Sequence, residues 1–147
     1  MAKILYVDMD DVLCDFTKAY QQSLTEFPEI KFPQSRENFF LNLDPLPGAI
    51  EAVGDLRSSL EYDVYILTAP STRNPLSYTE KRLWIENHFD YDFVKKLIIS
   101  PNKALLKGDF LIDDYDSGKG QDKFQGKLIH FGSSECPDWA AVRHALL

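Results

Sequence analysis

The 147 residues include 23 Asp and Glu against 16 Lys and Arg, a net charge of −7, with 44% hydrophobic and 27% charged residues. That length and balance predict one compact globular domain over 1–147, and the negative field argues against duplex nucleic acid as a main partner. Asp8, Asp10 and Asp11 break the apolar run at 4–7 before a signal-peptide core or membrane span can form, so no membrane partner and a cytoplasmic setting are expected.

In chain order, short apolar runs predict strands at Ile4–Val7, Val64–Leu67, Leu97–Ile99, Phe110–Ile112 and Leu128–Phe131. Each is apolar on successive positions, as in strands covered on both faces. Between them, Phe16, Ala19, Tyr20, Leu24 and Phe27 repeat at helical spacing, as do Ile50, Val53, Leu56 and Leu60. Ser77 with Glu80 reads as a capping box ahead of Leu83, Trp84, Ile85 and Phe89, and a last helix is expected from about Asp138. Alternating strands and helices predict an α/β fold, a three-layer αβα Rossmann-like sandwich on a parallel sheet with its site at the carboxyl edge. Residues 28–47 break the alternation. With Pro28, Pro33, Pro45 and Pro47 among Phe32, Phe39, Phe40 and Leu41, they read as a short flap or reduced cap, either a substrate lid or packing for a loop. Cys14 and Cys136 are too few for a disulfide framework and lack zinc-site spacing, so both are expected as buried small hydrophobes.

Polar signals follow these strands. They are Asp8-Met9-Asp10 after the first, Thr68 after the second, Lys103 after the third and Asp113-Asp114 after the fourth. Singly, each has a bland reading as a turn or cap residue. Together they bring carboxylates to one sheet edge, where they repel one another unless a hard divalent cation keeps them ionised, and Mg2+ fits an oxygen donor set that leaves room for water and phosphate. Lys103 and the Thr68 hydroxyl then serve the remaining phosphate oxygens, which describes phosphoryl transfer. No GxxxxGK[ST] loop or HExxH motif is present.

The strings DMDDVL at 8–13, ILTAP at 66–70, a lone Lys103 and LIDD at 111–114 resemble the motifs of the haloacid dehalogenase-like phosphatase superfamily. Within it, YVDMDDVLCDF at 6–16, LDPLPGA at 43–49, EKRLWIE at 80–86, LIDDYD at 111–116 and DWAAV at 138–142 are similar to the cytosolic-type 5′(3′)-deoxyribonucleotidases. The resemblance implies a hydrolase that removes phosphate from a deoxyribonucleoside monophosphate through an aspartyl-phosphate, with Mg2+ as cofactor. It implies Asp8 as nucleophile, Asp10 as general acid and base, and Thr68, the Ala69 backbone and Lys103 as phosphate binders. It further implies Asp8, the Asp10 carbonyl and Asp114 at the metal with Asp113 supporting them, Asp116 as a structural or outer-shell acid, and Phe16 in the nucleotide pocket, where its other reading is the first core residue of a helix.

The chain also departs from the family pattern. Asp11 stands where Gly is frequent and is expected to be exposed or capping; Ala69 stands where Ser is common, losing a hydroxyl but keeping the main-chain donor. The flap is much shorter than the helical cap of the animal enzymes, so Phe32, Arg36, Phe39 and Phe40 are the candidates to replace its base-selecting residues. Three rivals stay in view. Another small phosphoester, such as a sugar phosphate, keeps the same core chemistry. A receiver-like phospho-aspartate domain has the wrong motif order, because here the acid pair follows Lys103. A calcium loop over Asp114, Asp116, Gly118 and Asp122 fails at Lys119 and Gln125, where an EF-hand needs Gly and Glu.

Overall fold

The computed structural model describes residues 1–147. Strands β1 (Lys3–Val7), β2 (Tyr62–Thr68), β3 (Leu97–Ile99), β4 (Phe110–Asp113) and β5 (Lys127–His130) form a five-stranded parallel sheet in the order β3-β2-β1-β4-β5. The chain winds outward from β1 to β3, then returns to β4 and continues to β5. The order therefore reverses between β1 and β4, where an open α/β sheet leaves a crevice beyond its carboxyl ends. The expected strands are all present, and the α/β parallel-sheet architecture is the one read from the sequence.

Alternation along each strand splits the sheet into two unequal faces. Leu5, Val7, Val64, Ile66, Ile112 and Ile129 join the main core, which holds 26 buried residues. Helices α2 (Ala49–Ser58), α3 (Ser77–His88) and α5 (Trp139–Leu146) pack into it through Ala52, Val53, Leu56, Trp84, Ile85, Trp139 and Val142. The opposite face buries a smaller cluster of Tyr6, Leu67, Leu111 and Phe124. Its third layer is made of the 3₁₀ turns Lys103–Leu105 and Gln121–Lys123 with their loops, instead of α-helices. Segments as short as the one between β4 and β5, residues 114–126, hold two glycines with positive φ, Gly118 and Gly120, and no helical run of apolar residues.

Helix starts follow ordinary capping chemistry. Asp15, Asp90 and Asp138 accept from the backbone N–H of Lys18, Phe93 and Ala141, opening α1 (Phe16–Glu26), α4 (Tyr91–Val94) and α5. The capping box expected at Ser77 does not form: α3 begins with Ser77 already inside it, the Ser77 hydroxyl bonds the Ser71 backbone, and Glu80 turns away from its own helix. Leu60, read as part of the second helix, lies beyond α2 and is 96% exposed.

The segment expected as a flap crosses the sheet edge in turns, with a 3₁₀ turn at Pro33–Ser35. Its Phe39, Phe40 and Leu43 are buried in the main core. No helix is long and apolar enough to cross a membrane. Cys14 and Cys136 are free and buried.

Candidate active site

Each expected strand-end residue is placed by backbone pairing. Val7 lies level with Ile66 on β2 and Ile112 on β4, and the Asp8 N–H continues the ladder onto the Ile112 carbonyl at 2.9 Å. Asp8 and Asp113 therefore leave neighbouring strands side by side. Asp113 is itself paired with His130, and its carbonyl accepts from the Phe131 N–H. Beyond Asp8 the chain folds back on itself: the N–H groups of Val12, Leu13 and Cys14 all converge on the Met9 carbonyl, which returns Asp10 to the sheet edge. Asp11 takes the left-handed conformation this turn requires, with φ 59, and its carboxylate caps Thr17 at 2.9 Å and 2.7 Å. That conformation explains why a glycine is suited to the position, and the capping role is the one expected of Asp11.

Lys103 arrives from the thin side of the sheet. Its N–H donates to the Lys119 carbonyl at 2.7 Å, and Gly120 allows the two loops to meet. A Cβ at Gly120 would stand 2.8 Å from the Ala104 nitrogen and 3.0 Å from that of Lys103, and its φ of 87 is one that side chains rarely adopt. The Lys103 ammonium is 1% exposed, donates to Asp8 Oδ1 at 2.9 Å and binds Asp113 Oδ2.

Asp8, Asp10, Thr68, Ala69, Lys103, Asp113 and Asp114 line one cleft of about 120 Å³, with Tyr115, Lys119 and Gln121 completing it. Four hollows elsewhere are larger, about 450, 440, 250 and 160 Å³, but none gathers more than two carboxylates. Phe16 is outside the cleft lining. Its ring packs half-buried against Tyr20, Phe39 and Phe40, with centroids 5.9, 5.4 and 6.1 Å away. Asp116 is exposed, and neither it nor Asp122 joins the acidic cluster. Of the flap candidates, Arg36 stacks on Phe27 at 3.9 Å and donates to Ser23, while Phe32 lies under Arg73.

Carboxylate oxygens of Asp8, Asp113 and Asp114 lie within 4.8 Å of one another. Asp113 is fully engaged, with Lys103 and Gln121 on one oxygen and the Tyr115 N–H on the other. Asp114 keeps a buried Oδ1 without any partner. Burial, and then the charge and contact of Asp8 followed by the charge of Asp113, push the Asp114 carboxyl up to about 9. Burial likewise lifts Asp8 to about 6, against the pull of Lys103 and with the help of Asp113 and Asp10. Burial alone would lower Lys103, but Asp8 and Asp113 outweigh it and raise its pKa. An all-oxygen set holding more negative charge than one lysine neutralises, with an orphaned carboxylate atom, fits a hard metal ion. Asp10 does not share in this cluster by its side chain; its expected part at the metal is through its carbonyl.

Two residues beside the cleft have no forecast in the strand-end pattern. Lys81, 1% exposed, donates to Asp10 Oδ2 at 3.0 Å and to Thr68 Oγ1 at 2.6 Å. Glu80, beside it, accepts from the backbone N–H groups of Asn38, Phe40 and Leu41 at 2.9, 3.1 and 3.3 Å. The available signal was their place in the EKRLWIE string at 80–86. Burial and the charge of Asp10 raise the Cys14 thiol well above its ordinary value, so it is a packing residue rather than a nucleophile.

The chain is also similar in sequence to known proteins. The family described as 5′ nucleotidase, deoxy (pyrimidine), cytosolic type C protein matches residues 29–143. A protein of Vibrio phage KVP40, provisionally named a 5′(3′)-deoxyribonucleotidase, is 37% identical over 95% of this chain and 81% of its own length. The human cytosolic-type 5′(3′)-deoxyribonucleotidase is 30% identical over 80% of this chain and 73% of its own, and the human mitochondrial enzyme 32% identical over 74% and 60%. The chain thus belongs to the 5′ nucleotidase, deoxy (pyrimidine), cytosolic type C family, and with it to the phosphoric monoester hydrolases.

Proposed function

We propose that this chain is a magnesium-dependent 5′(3′)-deoxyribonucleotidase, acting in the cytoplasm on deoxyribonucleoside monophosphates through a phosphorylated Asp8. The observation that carries the reading is the meeting of Asp8, Asp10, Thr68, Lys103, Asp113 and Asp114 in one cleft of about 120 Å³, too small for much more than a phosphate group and its surrounding ligands. The relatives' names support the substrate class, and likeness to the human cytosolic type supports the compartment.

Asp8 attacks phosphorus in line with the ester oxygen; the Asp8 oxygen to phosphorus bond forms as the phosphorus to ester-oxygen bond breaks. Asp10 gives its proton to the departing alkoxide, then takes one from the water that attacks phospho-Asp8, returning phosphate and the free Asp8 carboxylate. Lys103, bonded to Asp8 Oδ1, leaves the other oxygen for the attack and offers positive charge to the phosphate. Thr68 and the Ala69 N–H are the donors for its remaining oxygens. Mg2+ would be held by Asp8, Asp114 and the Asp10 carbonyl, with Asp113 orienting Lys103 and the Tyr115 loop, and would supply charge neutralisation of carboxylates and phosphate.

The test is phosphate release from ribo- and deoxyribonucleoside 5′- and 3′-monophosphates and sugar phosphates. The reading expects deoxyribonucleotides to lead and Asp8→Asn to be silent. One observation favours a second reading, a different small phosphoester: the flap aromatics Phe39 and Phe40 are buried, and Tyr115 is the one aromatic lining the cleft. A sugar phosphate at the head of the panel would support that reading instead.

A further inference from the structure

The ammonium of Lys81 is buried on α3 where an apolar residue would pack against Phe40, whose ring centroid lies 5.1 Å from it. A buried cation is expensive unless its partners are fixed and hydrogen-bonded. Here the partners are Asp10 Oδ2 at 3.0 Å and Thr68 Oγ1 at 2.6 Å. Both contacts have a directional consequence. With Oδ2 held, the Asp10 oxygen without a partner is Oδ1, which is buried beside the cleft. With a Thr68 lone pair accepting from Lys81, the hydroxyl hydrogen is left to donate elsewhere, and within the chain it finds only the Ala69 carbonyl at 3.4 Å, a long contact.

We propose that Lys81 is a positioning residue for the reaction: it clamps one oxygen of Asp10 so that the other faces the leaving oxygen, and it orients the Thr68 hydroxyl as a donor to phosphate. The inference rests on Asp10 being the acid and base of the proposed reaction. Its neighbour Glu80 holds the backbone of the flap at 38–41, so adjacent residues on the first turns of α3 set the acid on one side and the flap on the other. Lys81 thereby differs from Lys103, which bonds the nucleophile and Asp113 and touches neither Asp10 nor Thr68.

The leaving group separates this role from a structural one. An alkyl phosphate, such as a deoxyribonucleoside 5′-monophosphate or glycerol 2-phosphate, departs as a basic alkoxide that needs a proton. The aryl ester p-nitrophenyl phosphate departs as a stabilised phenolate that does not. Wild type, Lys81→Met, Lys81→Arg and Asp10→Asn are compared for kcat and KM on both, with Mg2+ present. Lys81→Met is expected to lose about 100-fold in kcat on the alkyl ester and less than about 10-fold on the aryl ester, the scale of a misplaced general acid. Asp10→Asn shows the same split enlarged. Lys81→Arg, which keeps the buried cation but moves its donors, shows the split reduced, and it decides on the same criterion if Lys81→Met fails to fold. Equal losses on the two esters, or wild-type rates in both Lys81 variants, would overturn the positioning role while leaving the proposed reaction standing. A wild type inactive on every ester would overturn the reaction, and this inference with it.

Discussion

Two carboxylates near the cleft are held in opposite ways. Glu80 satisfies its oxygens with the backbone N–H groups of Asn38, Phe40 and Leu41, at 2.9 to 3.3 Å. Asp114 has a buried oxygen with no partner and stands against Asp8 and Asp113. The first carboxylate organises the fold; the second is set up for something the chain does not itself supply. The contrast extends to their surroundings. The wall with Asp8, Asp113 and Asp114 is positioned by pairing of β1, β4 and β5, so it tolerates side-chain repulsion without losing its shape. The flap wall has no sheet to rely on. It is pinned by side chains from α3 and the loop before it, through Glu80, through Trp84 Nε1 on the Leu43 carbonyl at 2.8 Å, and through Asn74 on the Arg36 carbonyl at 3.2 Å.

If the contrast is sound, removing charge should stabilise one wall and destabilise the other. The largest effect is on turnover: Asp8→Asn is expected to lose at least about 10⁴-fold in kcat while keeping its fold, because loss of the proposed nucleophile is not made up by the remaining groups. A near-wild-type rate would break the assignment of Asp8. Next, excess EDTA should silence the enzyme and added Mg2+ restore it while raising the melting temperature, since a cation bound only by the folded chain stabilises it. Undiminished activity under chelation would remove the metal from the scheme.

The pH dependence follows from the same wall. Asp8 and Asp114 are raised from 3.8 to about 6 and about 9, so the folded state binds more protons than the unfolded. Their contribution to stability is fully present below about 3.8, and is lost as pH rises through about 6 for Asp8 and through about 9 for Asp114. Metal-free protein should therefore melt progressively lower between pH 6 and 9, and Asp114→Asn should remove most of that decline and melt above wild type at pH 9. A steeper decline in the variant would contradict an origin in the crowded carboxylates.

On the other wall, Glu80→Ala leaves the Asn38, Phe40 and Leu41 amides without their acceptor. Chemical denaturation should show a loss of about 3 kcal/mol, with KM raised more than kcat is lowered. Wild-type stability in this variant would show that the flap is held by its apolar packing alone. The smallest effect is expected for Arg73→Ala, which removes a guanidinium 3.5 Å from the centroid of the Phe32 ring at the outer rim of the flap. It should cost about 0.5 kcal/mol and leave kcat unchanged, which marks the boundary between the anchored inner flap and its periphery.

Much of the first wall was legible in the chain. In a parallel sheet the residue after each strand emerges at one shared edge, so Asp8, Thr68 and Asp113 could be brought together from strand positions alone. Little of the second wall was. Helical periodicity shows which side of α3 is apolar through Trp84 and Ile85, but not that charged residues on the first turns would be buried against the cleft and the flap. The spacing of Ser77 and Glu80 suits a capping box, yet flap amides in need of an acceptor compete for the same carboxylate and outnumber the single N–H that a box would satisfy. Phe16 shows the same limit: eight residues beyond Asp8, it could face a ligand or a core, and its neighbours Tyr20, Phe39 and Phe40 come from segments whose approach only packing decides.

By itself, then, the sequence determined the strand and helix pattern, the edge of the sheet where the polar strand-end residues gather and the identity of the acids, Thr68 and Lys103 there, because these depend on periodicity and on which residue follows which strand. Tertiary structure alone decided that one face of the sheet carries helices and the other only 3₁₀ turns, that Lys81 reaches Asp10 and Thr68, and that Glu80 serves the flap. Those outcomes depend on how far and in which direction separate segments approach, and on buried polar groups finding partners distant in the chain.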